Sequence, residues 1–359
     1  MGKIRVGIIG TGFGALVQAP GFMMHPACEV VALSGVARPG RAQEQAARLG
    51  IPRAYDDYMT MLRQEELDLV SVVSSPNLHH PMTLAALERR IHVLCEKPMA
   101  MNLVEAQAMV DAAERRSLVN AIDHEFRYGP GRTQFKKLID EGFLGDPIHF
   151  TLTYSMNGLE RNLARPNGWL SQTATRGGML GALGSHLIDT LRWFFGDITA
   201  VCGSLTNHVE VRSGAPADAD DSFAFLCRLS GKTTGVVQFL MHAHHGFGMR
   251  VEAFGTKGTL VLENDQKVLA GKSGQELSEV ANELPVKLPG LQYADSLDPR
   301  TLPFVVMVDQ LAGAILGEGA MVGSKRPYAT FRVGAAVQAV LDAVYQSDAE
   351  RRWVEVAAR

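Results

Sequence analysis

The stretch VGIIGTGFGALVQAP, residues 6–20, constrains this chain more than any other. A glycine-rich turn follows directly on a short apolar run and opens into a helical pattern. Gly10, Gly12 and Ala15 fit the spacing G-x-G-x-x-G/A. In that spacing the first glycine allows a tight turn and the second lets the backbone approach a diphosphate. The small third residue lets helix pack on strand. The helix start adds unpaired N–H groups and a partial positive charge, which suit a phosphate. The motif carries weight only inside a strand–turn–helix context, and the residues that follow supply it. KIRVGII, EVVAL, DLVSVVS, IHVLC and SLVNAI read as buried parallel strands. Helical stretches at 13–24, 41–49, 56–64, 79–90 and 102–116 lie between them, the last with Asn102 as its N-cap. This alternation predicts an α/β Rossmann domain with a doubly wound parallel sheet over residues 1–125.

Beyond residue 125 the rhythm changes. Helices are expected at 129–141 and 178–195, followed by strand-like segments AVCGSLTNHVEV, DSFAFLCRL, TTGVVQFLMHA, MRVEAF and GTLVLE. Residues 264–300 are polar and read as a surface excursion, and FRVGAAVQAVLDAVYQS reads as a C-terminal amphipathic helix. Residues 126–359 are therefore expected to form an α+β domain for substrate and oligomerisation, built on a large open, mainly antiparallel sheet. Apolar residues in DSFAFLCRL and TTGVVQFLM suggest a homodimer or homotetramer through that sheet.

Composition excludes several classes. A net charge of −3 over 359 residues gives no pull toward nucleic acid or anionic membrane. No apolar run is long enough to span a bilayer, and MGKIRVGII is not a secretory start. Cys28, Cys95, Cys202 and Cys227 are far apart, with no CxxC pair, so neither a zinc site nor a disulfide framework is suggested. A reduced, cytoplasmic protein is expected. His242 and His244 alternate onto one strand face of LMHAHHGFG without a third ligand, so no metal is expected.

The expected ligand of Gly10, Thr11, Gly12, Phe13 and Gly14 is a dinucleotide. At the end of the second strand an acid would hold a ribose 2′-hydroxyl. Here VVALSGVARPGRA offers Ser34, Arg38 and Arg41 and no acid before Glu44. A hydroxyl and a guanidinium suit a 2′-phosphate, so NADP is favoured over NAD. Ser75, Pro76 and Asn77, and Glu96 and Lys97, follow two further strands, where open α/β sheets bind ligands.

GIIGTGFG, SSPNLHH and CEKP, in this order, resemble the Gfo/Idh/MocA oxidoreductases. The similarity continues through DHEFRYGP, GFLGDP, GGMLGALGSHLIDTLRWFFG and the C-terminal RPYATFRVGAAVQAVLDAVYQSDAERRWVEV, nearly the whole chain. The resemblance implies NAD(P)-dependent hydride transfer on sugars, polyols, their acids or related compounds. It matches Lys97 to a lysine that reaches nicotinamide ribose and substrate, and Pro98 to a proline that is often cis. Asn77 and His80 match a segment near the cofactor, and His186 matches an acid/base histidine. The family's aspartate four residues before that histidine is Ala182 here. Asp189, one turn after His186, is placed to orient the imidazole, though the resemblance implies a structural role for it, and Glu125, His244 and His245 are weaker candidates for lining the pocket. Two other readings stay open. One is a relative that cycles a tightly held cofactor, as in glycoside cleavage. The other is a non-enzymatic nicotinamide-binding regulator in which Ala182 marks lost catalysis.

Overall fold

Six short strands are complete by residue 122: β1 Ile4–Ile9, β2 Cys28–Ser34, β3 Arg53–Tyr55, β4 Leu69–Val72, β5 His92–Cys95 and β6 Asn120–Ile122. In the computed structural model, which describes residues 2–36, 38–164, 167–282, 297–317 and 328–357, they form one parallel sheet in the order β3-β2-β1-β4-β5-β6. The strand order reverses between β1 and β4, which places a ligand crevice at their carboxyl ends. The edge strand β3 was not foreseen. It is three residues long and lacks the apolar run that marks its neighbours.

The helix Arg41–Leu49 falls between Gly40 and Gly50, both in the left-handed region that ends helices cheaply. The helix expected at 13–24 is divided. Gly14–Gln18 form a π-helical turn and Ala19–Met24 an α-helix. Pro20 has no N–H to give the ladder and therefore starts a new segment. The helix Thr301–Leu316 lays Phe304 edge-on against Phe22, with ring centroids 5.2 Å apart, and completes the core beside Ile8, Val17 and Leu33. One compact unit comprises residues 1–128 with 286–335, and the other 129–285 with 336–359.

The second unit carries β7 Pro147–Ser155, β8 Ile198–Thr206, the short pair β9 Val211–Arg212 and β10 Ala215–Pro216, β11 Ser222–Leu229, β12 Thr234–Leu240, β13 Gly248–Gly255, β14 Gly258–Glu263, β15 Lys267–Lys272, β16 Ser278–Val280 and β17 Val354–Glu355. Nine of these form a sheet ordered β16-β15-β14-β13-β7-β12-β11-β8-β17. It is antiparallel except where β7 runs parallel to β12. β15 and β16 correct the expected surface excursion at 264–300, because Val268 and Ala270 alternate into the core. Along β11, Phe223, Phe225, Cys227 and Leu229 point inward against Leu187, Ile188 and Leu191, while Leu226 and Arg228 point out. Val337, Leu341 and Val344 of the helix Phe331–Glu350 join that core.

Candidate functional site

In the first unit the glycine turn leaves β1 at Gly10, whose φ of +136° a side chain would strain. A Cβ there would lie 2.0 Å from the Val73 carbonyl oxygen. At Gly12 a Cβ would meet nothing within 4 Å, so this is the face along which a diphosphate can approach the backbone. Gly14 packs its bare Cα against Ile8 and Val73. The geometry fits a dinucleotide diphosphate seated on Gly10–Gly14. Ser34 is buried at the end of β2 and donates to the Gly35 carbonyl at 3.0 Å, whereas Arg38 is exposed.

Two further loops leave the same sheet edge. After β4, Ser75 caps the helix Pro76–Glu88 and its hydroxyl donates to Asn77 Oδ1 at 2.7 Å. After β5 come Glu96, Lys97 and a cis Lys97–Pro98 peptide. His79 joins the loops. Its Nδ1 lies 2.9 Å from the Pro98 carbonyl and its Nε2 3.1 Å from that of Ser74. Burial holds its pKa down at about 4, so the ring is neutral and shares one N–H between two carbonyls. His80, singled out above, is only partly buried, and the imidazole that ties the loops is its neighbour.

Beneath half-buried Lys97 lies a carboxyl cluster. Gln18 Nε2 donates to Glu96 Oε1 at 2.9 Å and to Asp123 Oδ2 at 2.7 Å, and the Ser71 hydroxyl donates to Gln18 Oε1. The Lys97 backbone N–H reaches Glu96 Oε2 at 3.2 Å. Burial, then the charge of Asp123, pushes Glu96 well above the usual carboxylate range, and Lys97 opposes the shift. Burial and Glu125 do the same to Asp123. Burial and Glu96 push Glu125 up to about 7. Carboxyls this close cannot all ionise, so the cluster retains protons near neutrality and titrates as a unit. Arg300 stands with its guanidinium 4.8 Å from the Phe13 ring centroid, near enough for its charge to act on Glu125 and Glu96.

The raised pKa of Glu125 has a definite sign. The folded chain binds this proton more tightly than the unfolded chain does. Its stabilising effect is therefore complete below the ordinary value of 4.5 and is lost as pH rises through about 7. The melting temperature is expected to fall over that window. Glu125→Gln should flatten the slope, a difference on the order of 2–3 kcal/mol. Calorimetry of both proteins across the window is the check. Equal slopes would place the retained proton elsewhere.

In the second unit His186 is buried on the helix Ser185–Phe195, one turn after Ala182. That helix is anchored twice. Thr190, one turn after His186, donates to the His186 carbonyl at 2.8 Å and accepts from Arg132, whose guanidinium also grips Asp265 through two bonds of 2.6 and 3.2 Å. Asp220 Oδ2 accepts from the Leu180 N–H at 2.7 Å where the preceding π-turn begins. Burial pushes Asp220 up to about 7 against those backbone hydrogen bonds. Asp189 is buried on the same helix, and Glu125 belongs to the carboxyl cluster of the first unit. His244 and His245 lie just beyond β12.

Sequence reasoning missed Gln18, His79, Asp123, Arg300 and Asp220. A buried glutamine inside an apolar helical stretch, facing a strand, was the available signal for Gln18. Nothing local marks residues whose partners are distant in the chain.

A family model described as an oxidoreductase family with an NAD-binding Rossmann fold matches residues 4–124, and one for the GFO/IDH/MocA C-terminal domain matches 133–261. The chain is 27% identical to levoglucosan dehydrogenase of Pseudarthrobacter phenanthrenivorans, over 99% of both. It is 26% identical to myo-inositol 2-dehydrogenase of Thermotoga maritima, over 73% of this chain and 75% of that one. A solved structure of levoglucosan dehydrogenase in complex with NADH and L-sorbose aligns over 100% of both chains, with a TM-score of 0.87 and 25% identity.

Proposed function

This chain belongs to the Gfo/Idh/MocA oxidoreductase family, and from that premise we propose that it moves a hydride between NADP(H) and a hydroxyl or keto carbon of a sugar, polyol or related cyclic compound. The observation that carries this reading is the convergence of the Gly10–Gly14 turn, the Ser75–Asn77 loop and Glu96–Lys97 at the carboxyl ends of β1, β4 and β5. The nicotinamide, when bound, supplies or accepts the hydride. Backbone N–H groups of the glycine turn hold the diphosphate. Lys97 places an ammonium where the substrate oxygen becomes negative, which stabilises the alkoxide. His186, matched to the family's acid/base histidine, takes or returns the hydroxyl proton. Ala182 stands at the position of the family's usual carboxylate. The sugar class follows the activities named for the two dehydrogenase relatives.

NADP(H) is favoured because no acid ends β2 and Arg38 is exposed there. Titration with each coenzyme tests this. Arg38→Ala is expected to weaken NADPH about 10- to 100-fold, the worth of one charge-assisted phosphate contact, and to leave NADH nearly unchanged. A wild-type preference for NADH would overturn it. A panel of cyclic ketoses and polyols with the preferred coenzyme tests the reaction itself. Tight retention of coenzyme with no net reduction would favour the redox-cycling reading. Binding with no turnover would favour the regulator.

We also place a homo-oligomer contact on the outer face of the large sheet, where Leu226 and Phe254 are exposed, with sedimentation as its measure. Four free cysteines support a reducing compartment, the cytoplasm. No helix among the described residues is long and apolar enough to cross a membrane.

A further inference from the structure

Three loops meet at one end of the large sheet. His208 lies two residues beyond β8, Asp221 one residue before β11, and His242 two residues beyond β12. These strands are neighbours, in the order β12-β11-β8, with Ser222 paired to both Thr206 and Leu240. The backbone fixes each position. Asp221 N–H donates to the Thr206 carbonyl at 3.0 Å, and Met241 N–H donates to the Asp221 carbonyl at 3.2 Å. His242 also bridges to Asn157. The expectation of no metal rested on the scattered cysteines and on His242 and His244 without a third ligand. The sheet instead gathers a different set from segments that are distant in sequence.

Asp221 is fully buried. Its Oδ2 accepts the backbone N–H groups of His208 at 2.8 Å and Val209 at 2.9 Å, so its orientation is set independently of any imidazole. His208 Nδ1 lies 2.7 Å from Oδ1, and His242 Nδ1 lies 3.4 Å from Oδ2. One ligand atom from each residue lies within 4.8 Å of the others. Donors around a tetrahedral metal bound at about 2.0–2.1 Å stand about 3.3 Å apart. The His208 and His242 separations, made to the two different oxygens of Asp221, lie on either side of that value, and side-chain rotation would bring one donor from each residue around an ion.

We propose that His208, Asp221 and His242 form a binding site for one divalent transition-metal ion of the zinc, cobalt or nickel class. Two imidazoles and one carboxylate suit these ions, whereas magnesium and calcium prefer an all-oxygen set. Three protein donors leave further positions for water or another oxygen ligand. The backbone N–H groups on Asp221 supply the outer support that metal-ligating carboxylates need. Binding would displace the hydrogen between His208 Nδ1 and Asp221 Oδ1, which the ring can carry on Nε2 instead. Arg212 opposes the ion, because its charge reaches His242. Affinity should therefore be below that of a closed structural zinc site. Occupancy would clamp three strand ends beside Asp220, which in turn holds the turn leading to His186. The proposal stands independently of the oxidoreductase reading.

The test is a titration of the full chain, freed of metal by chelator dialysis, with cobalt(II) chloride. We expect visible d–d bands that saturate at one equivalent and are displaced by zinc chloride, with zinc raising the melting temperature. His208 is half exposed, so His208→Ala should fold normally. It and His242→Ala should each weaken cobalt binding at least about tenfold. Several results would overturn the proposal. They are the absence of visible bands, unchanged binding in the double variant, or a near-ultraviolet thiolate band that places the cobalt on half-buried Cys202. Each would leave the three residues as a hydrogen-bonded cluster only.

Discussion

Replacing Lys97 by methionine is expected to lower kcat/KM by about 10²- to 10⁴-fold while leaving coenzyme affinity within a few-fold of wild type. Methionine keeps the length and apolar stem of lysine and removes only the charge and its donors. The lysine backbone stays held by Glu96 on one side and the His79–Pro98 contact on the other. The loop should therefore survive, and the loss should fall on the stabilisation of the developing alkoxide. One further effect is diagnostic. The Lys97 charge holds down the pKa values of Glu96 and Glu125. Without it, both carboxyls should keep their protons to still higher pH. Stopped-flow hydride transfer and coenzyme titration, run on the same preparation, separate the two effects. A variant that loses coenzyme binding in proportion to rate would assign Lys97 to cofactor retention rather than to chemistry.

The second large effect concerns the turn itself. Gly10→Ala forces a methyl group to within 2.0 Å of the Val73 carbonyl oxygen at a φ of +136°. The obstruction is backbone at the end of a central strand, not the tip of a mobile side chain, so relief requires moving β1 away from β4. A cost of about 3 kcal/mol or more is expected, with loss of coenzyme binding. Gly12→Ala is the contrasting case. Its methyl meets no protein atom within 4 Å, so the fold and melting temperature should be unchanged. Coenzyme affinity alone should fall, because the methyl stands where the diphosphate comes close. Equal destabilisation by both substitutions would contradict the roles assigned to the two glycines.

Much of the first unit was legible because each βα repeat is written locally. Apolar runs mark β1, β2, β4 and β5, and the glycines flanking Arg41–Leu49 mark a helix to the residue. The chemistry-bearing loops could be read for the same reason, since a parallel sheet sends the residues after each strand to one edge. Partners distant in the chain could not be read. Gln18 meets Asp123 across 105 residues, and no pattern in either segment announces it. β7 was missed because its outward Thr151 and Thr153 dilute the apolar signal, and its parallel pairing with β12 depends on contacts that no composition records. His208 and Asp221 belong to the same class. Each looks ordinary in its own segment, and only strand register brings them beside His242.

The helix Thr301–Leu316 packs Phe304 into the nucleus formed by the earliest residues. On a ribosome, the amino-terminal segment must therefore wait for its missing piece while roughly 190 further residues are synthesised. At about 5–20 residues per second the delay is on the order of 10–40 seconds. Through that interval the face of Phe22 that the late helix will cover is bare. The second unit, which begins at Gly129, waits longer still, because Val337, Leu341 and Val344 of its core and its edge strand β17 come last in the chain. Neither unit can therefore close until the carboxyl-terminal stretch has been made, and both leave core surface bare while the chain grows.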